Sequence, residues 1–410
     1  MAGPLKGYKV LDMSRILAGP WASQLLADLG AEVVKIERPE SGDDTRSWGP
    51  PYLQDQDGKD TSDAAYFFCA NRGKKSVGID ITCSEGQEII RKLANQSDVF
   101  IENFKVGGLA NYGLDYDSLS KINPKLIYCS ITGFGQTGPY ASRPGYDFLI
   151  QGMGGLMSIT GEPGDTDSKI GGPVKVGVAV TDLFTGLYAA NAIQAALLER
   201  KDSGLGQYID LALLDVQAAT LANQASNHLI GGTVPQRLGN AHPNIVPYQA
   251  FPTADSHIII AIGNDEQFKR FCDVLGQSSM ASDSRYASNA SRVKNRQILC
   301  EHIANCLVVS SSQNWLEEFE AHNIPCGPIN TIDQVFEDPQ VLARDMLISI
   351  PESRSGEIKM VGNPIKFSRS EIQYLVPPPP LGNTTQQVLK DDLDYSESEI
   401  ANMRKRAVID

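Results

Sequence analysis

No stretch of 18 apolar residues occurs in the chain, so no membrane-spanning helix is expected. Histidine is scarce, with five residues and neither H-E-x-x-H nor paired-ligand spacing, and no metal site is expected. The acidic stretch Asp55, Asp57, Asp60 and Asp63 fails the EF-hand spacing and reads as a solvated loop. The Walker pattern is missing, so ATP-driven ligation has no phosphate loop. G-x-S-x-G is missing too, which weakens an α/β-hydrolase reading. There is no C-x-x-C, and the seven cysteines, an odd number, mostly sit in apolar runs such as Phe67-Phe68-Cys69 and Ile127-Tyr128-Cys129. They read as reduced core thiols in a reducing compartment. Positive charge is in short supply: 36 Lys and Arg against 49 Asp and Glu leave a net charge of −13. That argues against nucleic-acid binding and docking on anionic membranes, both of which need clustered cations. It leaves room for a small anionic ligand held by a few local cations. No internal repeat, signal peptide, amphipathic presequence or peroxisomal tripeptide is legible, and the expected compartment is the cytoplasm or the mitochondrial matrix.

What is present is an ordinary globular profile of 410 residues, 41% hydrophobic and 21% charged. Strand-like and helix-like segments alternate through the first 200 residues. Tyr8–Met13, Glu32–Glu37, Val77–Ile81, Asp98–Glu102 and Leu126–Ile131 read as strands. A helix opens at Pro20 with Trp21, Leu25, Leu26 and Leu29 on one face, and Gly30 closes it. A second spans Glu85–Ala94, and a long apolar one runs from Leu183 to Arg200. Repeated strand–helix–strand units imply an α/β fold with a parallel, doubly wound sheet and ligands near the carboxyl ends of its strands. A smaller unit is expected from about Pro247 to Pro325, opening with the strand Ser256–Ala261 and continuing with helices over Glu266–Leu275 and Asn295–Leu307. The division expected is 1–205 for the first part of a large domain, 206–246 as linker, 247–325 for the small domain, and 326–410 returning to the large one. Pro377–Pro380 reads as an extended connector.

Gly133-Phe134-Gly135-Gln136-Thr137-Gly138 is literally G-x-G-x-x-G and follows a strand. Pro139 and Arg143-Pro144-Gly145 forbid a normal helix after it, which argues against nicotinamide or flavin binding. The cations Lys35, Arg38, Arg72, Lys74 and Lys75 cluster at strand ends and suit a phosphorylated ligand, or else are scattered surface charge. Asp182 stands at the start of the long apolar helix. Its residue type suits an N-cap. On the residues alone the cap is the preferred reading; the place also suits a nucleophile whose carboxylate the helix dipole favours, with first-turn N–H groups facing an oxyanion.

From Pro4 to about Gln387 the chain resembles the class III CoA-transferases, the formyl-CoA transferase and carnitine CoA-transferase family. The segments that carry the likeness include Gly7–Asp12, Leu29–Pro39, Gly42–Arg46, Asn71–Ser76, Glu102-Asn103-Phe104, Ser130–Gly135, the Asp182 region and Ile324–Pro328. The resemblance implies an interlocked homodimer, in which a Rossmann-like domain is built from both chain ends and a smaller α+β domain completes a ring. It implies acyl-CoA and small carboxylic acids as substrates, no metal, and Asp182 as covalent nucleophile through an aspartyl anhydride and an aspartyl-CoA thioester. CoA contacts carry over to Leu17, Ala18, Arg38, Asn71, Arg72, Lys75, Asn103, Thr132 and Phe134, with Arg38 and Lys75 on phosphates. Leu17, Thr132 and Asn111 stand where formyl-CoA transferases carry Gln, Lys and Arg. The family's α-methylacyl-CoA racemases use a His before an Asp; here Tyr146 precedes Asp147, and a phenol is a poor base at neutral pH. The loop Gly239–Tyr248 replaces the glycine run of formyl-CoA transferases. Thr45–Pro51, Tyr128–Gly133 and Ile245–Phe251 look most like the succinyl-CoA:glutarate (hydroxymethylglutarate) CoA-transferases. A dicarboxylate acceptor is therefore expected, with itaconate, malate and carnitine-type acids as alternatives. Arg46 is the first candidate cation for its distal carboxylate and His242 the second. The structural alternative for Arg46 is a salt bridge to Asp43 or Asp44.

Overall fold

Val10, Val33 and Ile101 face one side of a sheet while Leu11, Val34 and Phe100 face the other, and both sides are buried. Such near-continuous apolar strands belong to a parallel sheet covered on both faces. In the computed structural model, which describes residues 3–164, 171–372, 374 and 376–410, six strands form that sheet. They are β1 (Lys9–Asp12), β2 (Glu32–Glu37), β3 (Lys74–Gly78), β4 (Val99–Glu102), β5 (Ile127–Thr132) and β6 (Tyr208–Ala212). Every neighbouring pair is parallel. The order is β3-β2-β1-β4-β5-β6, so the winding direction reverses between β1 and β4. A doubly wound sheet opens its ligand crevice at the carboxyl ends of the strands flanking that reversal.

Helices α1 (Ala18–Asp28) and α4 (Val180–Ser203) cover one face, with Ala22, Leu26, Ala189 and Ile193 inside. Helix α2 (Ser84–Asn95) covers the other face with two C-terminal helices, Thr385–Asp391 and Glu397–Lys405. A short helix α3 (Asp147–Met153) precedes α4. Helix α1 starts two residues before Pro20; proline is tolerated there because first-turn N–H groups have no partner inside the helix. Helices α1 and α4 meet closely at Gly186, where a Cβ would come within 2.8 Å of the Ala18 carbonyl oxygen. The first turns of both helices thus converge beside the crevice.

Strand β3 begins three residues before the expected Val77, because Lys74 turns inward to ion-pair partners rather than belonging to a solvated loop. Strand β6 was not anticipated: the glycines before it read as loop, and its polar edge residues mask the alternation.

The chain folds as two compact units, one made of Met1–Gly155, Val176–Ala225 and Pro339–Asp410, the other of Leu156–Lys175 and Ser226–Asp338. The second holds a three-stranded antiparallel sheet in which His257–Ala261 lies between Tyr248–Pro252 and Cys326–Pro328. Its core gathers Phe251, Ile258, Phe268, Phe271, Ile303 and Phe319. All seven cysteines are free; Cys129 and Cys272 are core residues as expected, whereas Cys69 is exposed. Among the described residues no helix is long and apolar enough to cross a membrane.

Candidate active site

The chain leaves β1 at Asp12 and must turn sharply to start α1 at Ala18. That turn is held by groups from four places. Asp12 accepts from the backbone N–H and hydroxyl of Ser14 and from the Ser23 hydroxyl. Lys35 Nζ donates to the Ser14 carbonyl and to Asp43, each at 2.8 Å. Asn103, just past β4, accepts from Arg15 N at 2.9 Å and donates back to Arg15 O at 2.7 Å. Asp43 accepts from Ile16 N at 3.2 Å. Ile16 has φ of +71°, a conformation that β-branched residues rarely adopt. It persists because hydrogen bonds fix the turn on both sides.

These charges are buried. Burial pushes the Asp12 carboxyl up, but Lys74, Lys35 and the two serines outweigh it and hold it below its ordinary value. Lys74, buried beside Asp12 and facing Lys35, is pushed down to about 8, chiefly by burial.

The crevice beyond this turn is a cavity of about 320 Å³. Arg15, Leu17 and Ala18 line it after β1, Asn103 and Lys105 after β4, and Thr132 at the end of β5. The loop Ala141–Tyr146 and Asp182 complete it. The loop comes close because Gly133 and Gly145 touch backbone to backbone: a Cβ on Gly133 would lie 2.5 Å from the Gly145 Cα.

Asp182 is the third residue of α4, and the N-cap position belongs to Ala179, which provides no side-chain cap. The expected capping role for Asp182 is therefore corrected. Asp147 does that work from α3: its Oδ1 accepts from Thr181 N at 2.9 Å and Asp182 N at 3.4 Å, while Gln151 Nε2 donates to its Oδ2 at 2.7 Å. The first-turn N–H groups expected to face an oxyanion are thus spent on a carboxylate. Among the described residues no donor reaches the carboxyl oxygens of Asp182, which lines the cavity. Burial, and then the charge of Asp147, pushes its pKa up to about 7. A desolvated, unpaired carboxylate of that basicity is a reactive oxygen nucleophile.

A second cavity, of about 290 Å³, lies at the carboxyl end of β2 and shares Arg15, Phe104 and Lys105 with the first. Arg38 lines it and is exposed without an acidic partner among the described residues. Two adjoining spaces, one with Arg38 free of acidic partners and joined to the other by Arg15 and Lys105, the other holding a reactive carboxylate, suit an elongated ligand with phosphates at one end and a reacting carbonyl at the other.

A profile described as CoA-transferase family III matches residues 5–385. The chain belongs to this family. It is 52% identical over 388 residues to a succinate–glutarate CoA-transferase of Agrobacterium fabrum, covering 95% of each chain. It is 43% identical to a mouse succinyl-CoA:glutarate CoA-transferase, covering 99% of this chain and 90% of the relative. Among solved structures, a CaiB/BaiF family protein from Brucella suis superposes with a TM-score of 0.83 at 48% identity, covering 95% of this chain and 100% of that one. The protein is thus a CoA-transferase, with CoA and acyl-CoA as substrates.

The residues expected to bind CoA in this transferase divide. Leu17, Ala18, Asn103 and Thr132 line the first cavity and Arg38 the second, which Asn111, the residue in place of the family's Arg, also lines. The Asn103 side-chain amide, however, is engaged with the Arg15 backbone. Phe134 is buried and supports Tyr140 and Arg143. Asn71, Arg72 and Lys75 are not brought into either cavity. Asn71 donates to the Phe67 carbonyl and accepts from Lys74. Arg72 forms a two-point pair with Asp28. Lys75 pairs with Glu32, because consecutive strand residues point to opposite faces and Lys74 is the inward one.

Arg46 is buried; it pairs with Glu37 through two nitrogens at 2.8 Å, with Asp63 at 2.8 Å, and donates to the Pro379 carbonyl. Its face also covers Phe67, 3.7 Å from the ring centroid. Arg46 thus takes the structural alternative, with Glu37 and Asp63 in place of the expected Asp43 or Asp44; four of its five N–H donors are engaged, and it lines neither cavity. His242 lies in the second unit against Tyr248, and burial followed by the charge of Arg296 lowers its pKa.

Sequence reasoning passed over Arg15, Lys105, Arg143 and Asp147 as site residues. Lys105 directly follows the Glu102-Asn103-Phe104 segment, and Arg143 and Asp147 flank Tyr146, so their neighbours carried the available signal.

Proposed function

We propose that this transferase moves CoA from succinyl-CoA to a dicarboxylic acid such as glutarate, with Asp182 as covalent nucleophile. The observation that carries the reading is the Asp182 carboxyl itself: unpaired, raised to about 7, and lining the cavity that adjoins the cation-lined one. The relatives named for succinate and glutarate support the choice of acids.

In the first half-reaction an Asp182 oxygen attacks the thioester carbonyl carbon, the C–S bond breaks, and CoA leaves as thiolate. The thiolate then attacks the Asp182 carbonyl carbon of the mixed anhydride and releases succinate, leaving an aspartyl-CoA thioester. A glutarate oxygen attacks that thioester and releases the thiolate again. The thiolate takes the glutaryl carbonyl, which yields glutaryl-CoA and restores the Asp182 carboxylate. Thioester is exchanged for thioester, so the overall reaction is nearly balanced in energy, and covalent catalysis divides one hard displacement into easier ones.

The proposal includes the interlocked homodimer. The exposed apolar side chains Phe148, Leu149, Phe184 and Leu187 on α3 and α4 support a partner surface there, and a monomer in sedimentation analysis would refute it.

The deciding experiment incubates wild type and Asp182→Asn with succinyl-CoA, with and without glutarate, and follows products and protein by mass spectrometry. Glutaryl-CoA from wild type only, and a CoA adduct on the Asp182 peptide without acceptor, are the expected results. Equal transfer by the variant would remove Asp182 from its role.

A further inference from the structure

We propose that Arg143 is the specificity-determining cation that holds the distal carboxylate of the acyl group, both of the incoming diacid and of the succinyl donor. The assignment rests on the dicarboxylate reading above and replaces Arg46, which lines neither cavity and has four of its five donors on Glu37, Asp63 and the Pro379 carbonyl.

Three cations line the cavity that contains Asp182: Arg15, Lys105 and Arg143. Arg15 and Lys105 also line the second cavity, so they stand at the junction where the phosphate-bearing part of CoA passes. Arg15 is in addition paired with Asp44 at 2.6 Å. Arg143 lines the nucleophile's cavity alone. Among the described residues it forms no ion pair, and its one side-chain contact to a polar atom is Nη2 to Met153 Sδ at 3.9 Å.

The guanidinium is nonetheless placed. It lies 4.6 Å from the Tyr140 ring centroid and 5.2 Å from that of Phe134, and those two rings meet edge to face. Stacking on aromatic rings fixes the plane of a guanidinium while leaving its edge donors free, and that fork matches the two oxygens of a carboxylate. The backbone contact of Gly133 with Gly145 holds the loop that carries it against the end of β5. An acid with one carboxyl at Asp182 and the other on Arg143 is bound at both ends, whereas a monocarboxylic acid leaves the cation unpaired. The cavity therefore selects for diacids through a charge-assisted pair rather than through size alone.

The test measures steady-state kinetics of the full chain for wild type, Arg143→Ala and Arg143→Lys. Succinyl-CoA is the donor, glutarate or valerate the acceptor, and inhibition by free CoA is recorded in parallel. The Ala variant is expected to raise the glutarate KM about 10- to 100-fold, the range of a lost charge-assisted hydrogen bond. With succinyl-CoA saturating for each enzyme, so that weaker donor binding does not enter, the valerate KM and inhibition by CoA should change less than about threefold, and Lys should recover part of the glutarate preference. An equal loss with glutarate and valerate, an unchanged glutarate KM, or weakened CoA inhibition would overturn the assignment. Wild type that fails on glutarate while using valerate would overturn the dicarboxylate reading itself, and this assignment with it. Far-ultraviolet spectra and melting curves separate a misfolded variant from an altered one, and the Lys variant, which keeps the charge, provides the independent comparison.

Discussion

Replacing Asp147 by Asn tests the electrostatics of the proposed nucleophile. The substitution removes a negative charge beside Asp182 but keeps an oxygen able to accept from Thr181 N, so the first turn of α4 stays capped. The Asp147 carboxylate is 3.4 Å from the Asp182 backbone nitrogen, and the Asp182 carboxyl carbon is within about 4 Å of its own nitrogen by covalent geometry. At a separation of roughly 8 Å, about the most that this contact allows, and an effective dielectric constant near about 20, the repulsion comes to about 2 kcal/mol. That corresponds to about 1–2 pH units of the carboxyl's titration. Burial is the larger cause of the rise to about 7 and is untouched, so the variant's value falls without reaching the ordinary carboxylate range. Attack requires the ionised form, so kcat/KM for succinyl-CoA in wild type should decline as pH falls through about 7. In Asp147→Asn that limb moves to lower pH. A shift of about one unit raises the ionised fraction at pH 6 from about one-tenth to about one-half, a gain of about fivefold at that pH. Above pH 8 both carboxyls are ionised, and the less basic variant should be the slower one, so the two profiles cross. Exchange of labelled succinate into succinyl-CoA, followed from pH 5.5 to 9, reads this directly. An unmoved acid limb, or one displaced upward, would refute the assignment of that limb to Asp182 under the influence of Asp147.

Two further outcomes follow from buried charges. Glu102, buried at the end of β4, is pushed up to about 7 from 4.5, mainly by desolvation and against hydrogen bonds from Ser130 and Phe104 N. The native state therefore holds its proton longer than the unfolded chain does, and stability falls as pH rises from about 4.5 to about 7, by about 3 kcal/mol in total. Glu102→Gln should match wild type near pH 4.5 and melt higher at pH 8; a difference in melting temperature that does not grow with pH would disprove the account. Arg46→Ala leaves Glu37 and Asp63 buried without their shared cation and should destabilise the fold by about 3–5 kcal/mol in denaturant titrations, while the glutarate KM of the remaining folded enzyme stays unchanged.

The parallel sheet was legible because apolar periodicity is local. Val33, Val34 and Ile36 between charged residues identify a strand in a six-residue window, and the expected Glu32–Glu37 coincides with the observed β2. The Asp182 helix was legible for the same reason, although its N-terminal boundary was placed three residues late, since Val180–Asp182 could also continue the preceding loop. Cation roles were not legible. Lys74 and Lys75 are chemically alike and adjacent, yet one is fully buried against Asp12 and the other half-exposed against Glu32.

By itself, then, the amino-acid order determined the alternating architecture, the family, and the acid at the head of the long helix, because each depends on residues close together in the chain or on motifs in a set order. Only the tertiary structure decided which charges are spent and which are available. Asp147 caps the helix of Asp182 from 35 residues away, Lys74 meets Asp12 across 62, and Arg46 reaches Pro379 across 333. Such partners are chosen when the strands wind and the C-terminal segment returns to the sheet. An ionisable side chain takes its chemistry from whichever groups that winding places within a few ångströms of it.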